Sequence, residues 1–177
     1  MLIDLEPHQK RQYDKLRISC MDIAHALQCA RFLIKKGWHS FEWERRGSIY
    51  LQQSAFTTSL IVSYARPFTP ARSLPGLPSR LIKWTEEEKA LHDKIMTLRN
   101  EVYAHSDGTS YSFQPWQSED FATIIERWPH RRLSKDDTRA FEAMAERILE
   151  ALRERMTRVF QRTDHSNPAV AAMTAPS

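Results

Sequence analysis

Leu16, Cys20, Ile23, Leu27, Ala30 and Ile34 recur at spacings of three and four, and Lys35-Lys36-Gly37 closes the run. That pattern constrains the chain more than any other feature, because a single apolar stripe kept in phase this long fits an α-helix and no strand. Two cations and a glycine are a characteristic helix end: the cations complement the carbonyl terminus and glycine takes the left-handed turn beyond it. The spacing therefore predicts a helix over 13–36, with residues 1–12 as a short polar arm. Only 4 glycines occur in 177 residues, against 41% hydrophobic residues. A chain so poor in tight-turn residues is expected to be all-α, a single-domain helical bundle with about four long helices plus a short one.

Three more segments share the helical period. Over 44–65, Phe56, Leu60 and Tyr64 mark one face while Ile61, Val62 and Ala65 make another side apolar, and Pro67 stops the helix. The stretch between Arg46 and Arg66 carries no charge, which suggests a membrane span until Gln52, Gln53, Ser54, Thr57, Thr58 and Ser59 are noticed within it. A buried central helix is the better expectation, and no membrane partner is expected. Thr85 followed by Glu86, Glu87 and Glu88 reads as an N-cap with an acidic first turn, and Leu91, Ile95, Leu98 and Val102 form a stripe that His105 continues. A helix over 86–105 follows, with Asp107-Gly108 as its stop. Ser134-Lys135-Asp136-Asp137 has the form of a capping box and opens a last helix over 136–162, facing inward with Phe141, Ala145, Ile148, Leu152 and Val159.

Between these last two helices, Tyr111 and Phe113 alternate as in a short strand over 109–115. Ser118-Glu119-Asp120 then predicts a short helix whose face is Phe121, Ile124, Ile125 and Trp128. The helical domain is expected to cover 13–162, with 163–177 as a flexible tail.

Residues 68–83 contain Pro70, Pro75, Gly76 and Pro78 and are expected to form a loop. Arg66, Arg72, Arg80 and Lys83 lie in or beside it, and two readings stand: a cradle for an RNA backbone, or a solvated crossover whose charge serves solubility. Trp38, Phe41 and Trp43 likewise suit either base stacking or a core. A net charge of +4 and a pI near 9.2 permit an RNA partner without requiring one. Cys20 and Cys29 fall nine apart on the first helix, on opposite faces and roughly 13 Å apart along the axis, too far to bridge. They are expected to be reduced core thiols. No C-x-x-C, H-E-x-x-H or clustered Cys/His spacing occurs, so neither a metal nor a cofactor is expected. The N-terminal residues lack a basic region followed by an apolar run, and a cytoplasmic location is the resulting expectation.

The chemistry-bearing residues crowd the end of the third helix. Arg99 binds phosphate as a fork, Asn100 is a polar neighbour, and His105 moves protons near neutral pH. Arg99-Asn100, four residues and His105 resemble the signature of HEPN domains, and Leu98-Arg99-Asn100-Glu101-Val102-Tyr103-Ala104-His105-Ser106-Asp107 is similar to the motif helix of abortive-infection and toxin-type members. Ser63-Tyr64-Ala65-Arg66-Pro67-Phe68 is similar to that group as well. The resemblance implies a homodimer in which two motif helices meet at one composite cleft, an antitoxin or regulatory protein as a further partner, and metal-independent cleavage of RNA. In that chemistry His105 serves the 2′-hydroxyl or the leaving 5′-oxygen, Arg99 stabilises the phosphorane, and Asn100 orients the histidine or a phosphate oxygen. The alternative is a non-catalytic nucleotide- or RNA-binding module, or a helical protein-interaction module.

Overall fold

The computed structural model describes residues 5–41, 43–44, 47–70, 75–100, 112–127 and 133–164. Helix α1 (Pro7–Lys36) begins at Pro7, not at Tyr13, so the second half of the expected N-terminal arm is helical. Proline suits a first helical position, where its missing N–H has no partner to lose, and the Glu6 N–H is met by Gln9 Oε1 at 3.1 Å. At the other end Gly37 adopts φ 63°, and the Gly37 and Trp38 amides donate to the Ile34 and Leu33 carbonyls. Helices α2 (Gly47–Ala65), α3 (Glu86–Leu98) and α4 (Lys135–Asp164) complete a mostly helical fold. No helix among the described residues is long and apolar enough to cross a membrane.

Cross-helix pairs fix the directions. Tyr13 meets Phe160 at 5.0 Å between ring centroids while Arg31 Nε donates to Glu142 Oε1 at 2.8 Å, so α1 and α4 run antiparallel. Phe32 stacks on Phe56 at 4.4 Å and Asp22 pairs with Arg66 at 3.4 Å, which makes α2 antiparallel to α1. Lys94 to Asp137 and Glu88 to Arg147 do the same for α3 and α4. The core between them takes Leu16, Cys20, Ile23, Leu27 and Ala30 from α1, Leu60, Ile61 and Tyr64 from α2, Leu91 and Ile95 from α3, and Phe141, Ile148 and Leu152 from α4. Leu33, rather than the half-buried Ile34, ends the α1 stripe. Both cysteines are free and buried. Gln53 is also buried and holds the connector after α1, accepting from Ser40 N at 3.0 Å and donating to Ser40 O at 2.8 Å.

One expectation is overturned. In place of a short helix after Ser118, β1 (Ser112–Gln117) and β2 (Ala122–Arg127) form an antiparallel hairpin with Ser112 opposite Arg127 and Gln117 opposite Ala122. Ser118 closes the turn: its N–H donates to Phe121 O at 2.9 Å, and its hydroxyl accepts from the Asp120 and Phe121 amides. Phe121, Ile124 and Ile125 have helical spacing, but the β-branched run Thr123-Ile124-Ile125 opposite a proline-containing segment favours extended backbone. Tyr111 and Trp128, like the tail from residue 165, lie outside the described residues.

Candidate functional site

Helix α3 is anchored at its start and carries its polar chemistry along one face. Thr85 Oγ1 accepts from the Glu88 amide at 3.2 Å, and Glu88 Oε2 accepts from the Thr85 amide at 2.9 Å, a reciprocal capping box that goes beyond the N-cap read at Thr85. Glu88 also takes both arms of Arg147 from α4, with Nε to Oε1 at 2.8 Å. Desolvation works to raise the Glu88 carboxyl, but the Arg147 and Thr85 hydrogen bonds and the Arg147 charge outweigh it and hold it below the usual carboxylate range.

One turn on, His92 sits among rings from three segments. Its centroid lies 4.8 Å from Phe68, 4.8 Å from Trp84 and 5.8 Å from Tyr64, and Tyr64 Oη lies 2.8 Å from His92 Nδ1. Burial, reinforced by the nearby Lys89 charge and opposed by Asp93, lowers the imidazole pKa. Burial and the carboxylates of Glu88 and Asp93 raise that of the Tyr64 phenol. Both groups are therefore neutral near pH 7, and they share a hydrogen bond between the buried Tyr64 and the half-buried His92. Sequence reasoning missed His92. The signal lay in its place one residue after Leu91, on the edge of the apolar stripe, seven residues before Arg99.

At the C-terminal end, Arg99 and Asn100 widen into a π-helical turn, a departure that recurs at functional sites. Arg99 is half-buried and its Nη1 donates to Asn100 Oδ1 at 2.9 Å. Among the described residues no carboxylate lies within ion-pairing distance of Arg99. The helix expected to reach residue 105 is described through Asn100, and His105 lies outside the described residues.

The basic residues of the preceding loop are distributed differently from one shared cradle. Arg66, exposed in a 3-10 turn (Arg66–Phe68), pairs with Asp22 of α1. Arg80, in the 3-10 turn Ser79–Leu81, and Lys83 are exposed beside the start of α3, so roughly 20 Å of helix separates them from Arg99 within one chain. Arg72 lies outside the described residues. Between these points the loop is pinned: Leu77 and Ile82 are buried, and the Leu77 amide donates to Pro67 O at 2.8 Å. Of the aromatic connector, Trp38 packs against Phe32 and Phe56, whereas Phe41 and Trp43 stack on each other at 4.7 Å. Trp38 thus belongs to the packed interior, and Trp43 is left 71% exposed.

Compared with known proteins, the chain matches no family model, no curated protein and no solved structure.

Proposed function

We propose that the chain is a metal-independent endoribonuclease of HEPN type, working as a homodimer in a toxin or defence role and held in check by a protein partner. The observation that supports it is the Arg99-Asn100 pair, a half-exposed guanidinium oriented by its polar neighbour on a widened turn at the end of a firmly capped helix. A fork of N–H donors held in this way suits a phosphoryl group whose negative charge grows during reaction.

In the proposed step a ribose 2′-oxygen attacks the adjacent phosphorus and gives up its proton, and the P–O5′ bond breaks as the 5′-oxygen takes one. The products are a 2′,3′-cyclic phosphate and a 5′-hydroxyl. His105 carries a proton in one of these transfers, Arg99 compensates the phosphorane oxygens, and Asn100 keeps the guanidinium in place. His92 takes no part, because its Nδ1 is committed to Tyr64 and its ring packs against Phe68 and Trp84.

The test is cleavage of single-stranded RNA in EDTA. Arg99→Ala and His105→Ala are each expected to lower the rate by about two to four orders of magnitude with the helical circular dichroism unchanged. Arg158→Ala is the control: Arg158 stands on the exposed side of α4 with Glu154 at 3.3 Å, and His165 follows it at a comparable spacing. A loss from Arg158→Ala equal to that from Arg99→Ala, or cleavage that EDTA abolishes, would overturn the proposal.

A further inference from the structure

Trp43 is 71% exposed, more than any other large apolar residue among the described residues, and yet it is held in place. Its ring lies parallel to Phe41, 4.7 Å between centroids and 9° between planes. The turn that carries both rings is closed twice, with the Phe41 amide donating to Glu44 Oε2 at 2.7 Å and the Glu44 amide donating to Phe41 O at 3.1 Å. Ser40, one residue earlier, is pinned to the buried Gln53 of α2 through both its N–H and its carbonyl. A large side chain fixed at the surface in this way returns little hydrophobic stabilisation for the freedom lost in ordering it.

Contacts with the first turn of α4 put this pair of rings and Arg99 at the same end of the bundle. His39 Nε2, in the connector after α1, lies 3.2 Å from Thr138 Oγ1, and Lys94 Nζ of α3 donates to Asp137 Oδ2 at 2.7 Å. Asp137 and Thr138 are consecutive, so the connector and the second half of α3 converge on one point of α4. Trp43 is four residues beyond His39, at most about 14 Å of extended chain, and Arg99 is five residues beyond Lys94, about 7.5 Å along the helix axis. Lys35 and Lys36, both exposed, close α1 at this end and add positive charge beside the turn. The carboxylates of Glu44 and Asp137 are taken up by the Phe41 amide and by Lys94. Arg80 and Lys83 stand beside the opposite end of α3.

We infer that Trp43 is the stacking platform for an unpaired base of single-stranded RNA, on the side of the reacting phosphate away from Arg80 and Lys83. The inference rests on the ribonuclease reading of Arg99 and names its substrate class. An unpaired base of any identity offers a flat π-face to an indole, whereas the bases of a duplex are stacked on one another and offer only their edges. Lys35 and Lys36 suit the phosphates that flank the stacked nucleotide, as Arg99 suits the one that reacts. Two stacked rings fall far short of the roughly 1,000 Å² that a specific protein interface buries, and they match the size of one base. Because the stacked base is not the reacting group, Trp43 holds substrate and transition state alike, and so governs affinity and the choice of single strand over duplex.

The experiment uses the full chain and a short single-stranded 2′-O-methyl RNA, which has no free 2′-hydroxyl to react, carrying 2-aminopurine, whose fluorescence falls when it stacks. The wild type is expected to bind and quench the probe. Trp43→Leu is expected to weaken binding about tenfold or more and leave the probe bright, and Trp43→Phe to recover part of both, with the urea midpoint of each variant unchanged. A duplex of the same sequence is expected to bind the wild type about tenfold more weakly than the single strand does. On a cleavable RNA, Trp43→Leu should raise KM where Arg99→Ala lowers kcat. Binding by Trp43→Leu as tight as that of the wild type, a probe left bright in the wild-type complex, a duplex held as tightly as the single strand, or a fall in the urea midpoint that accompanies the loss of binding would each overturn the inference. If the probe stacks on Trp43 and no RNA is cut, only the ribonuclease reading fails. If RNA is cut and Trp43→Leu matches the wild type in KM, only the stacking inference is lost.

Discussion

The Tyr64 and His92 side chains join α2 to α3 through one polar contact inside an aromatic shell, and that makes stability depend on pH at a single residue. His92 titrates below its ordinary 6.5 when folded. As pH falls through that value the unfolded chain takes up a proton that the folded chain refuses, so stability falls until the folded pKa is reached and then levels. Urea midpoints should therefore drop between pH 7 and pH 5 in the wild type, and His92→Phe should lessen that drop. An undiminished drop in the variant would assign it to other groups; Glu88 and Asp137, both held below the carboxylate range, lose their contributions only at more acidic pH. Tyr64→Phe leaves the His92 Nδ1 without its phenol partner and should cost about 1–3 kcal/mol at pH 7, read as a shift in the same midpoint. Gly76 is a second sensitive residue in this region. A Cβ there would stand 2.9 Å from the Phe68 carbonyl oxygen, backbone that cannot rotate away, so Gly76→Ala should lower the melting temperature by displacing the loop that carries Phe68 against His92.

Among the elements, α4 is the main packing partner of α1 in the core. Phe141 is fully buried and meets Tyr64 edge-on at 5.2 Å, so Phe141→Ala should cost about 3–5 kcal/mol in chemical denaturation, and a loss under 1 kcal/mol would show that the site collapses around the smaller side chain. The four long helices were legible because each carries both a period and an end signal. Ser134 and Asp137 exchange the cap bonds their spacing promised, and Thr85 and Glu88 form a capping box where the sequence reads an N-cap. The start of α1 was less legible, since Pro7 reads as a break unless it is recognised as a first-turn residue. The first strand was anticipated near its place, while the second was misread for a definite reason: six residues give too few positions to separate a period of 2 from one of 3.6, and Phe121, Ile124 and Ile125 satisfied the wrong one. Their exposure removes the premise of that reading, because an apolar helical stripe is informative only when it is buried. At the candidate site, Arg99 and Asn100 were singled out from residue type and spacing, whereas His92 was invisible because its surroundings depend on rings at Phe68 and Trp84 that only the folded loop brings to it.

For the whole molecule, the separation of basic residues along α3 sets how an RNA would lie. Arg80 and Lys83 flank the start of α3 and Arg99 stands at its end, about 20 Å away, which a stacked strand rising 3.4 Å per nucleotide spans in roughly six nucleotides. Under the proposed function Arg99 acts on the phosphate being cleaved, while Arg80 and Lys83 hold backbone that is not reacting. Charge removal at a remote phosphate contact weakens binding of substrate and transition state equally, so Arg80→Ala with Lys83→Ala should raise KM and leave kcat nearly unchanged, whereas Arg99→Ala should lower kcat. The distance adds a condition on length. RNAs of ten or more nucleotides should feel the double substitution and show a shallower dependence of affinity on salt, because fewer counterions are released. A trinucleotide bound at Arg99 cannot reach the other end of the same helix and should be cleaved alike by wild type and variant. Kinetics on a ladder of RNA lengths at two salt concentrations would read both effects. If the trinucleotide suffers as much as the longer RNAs, Arg80 and Lys83 of the second copy of the homodimer reach the reacting phosphate across the cleft the two copies share.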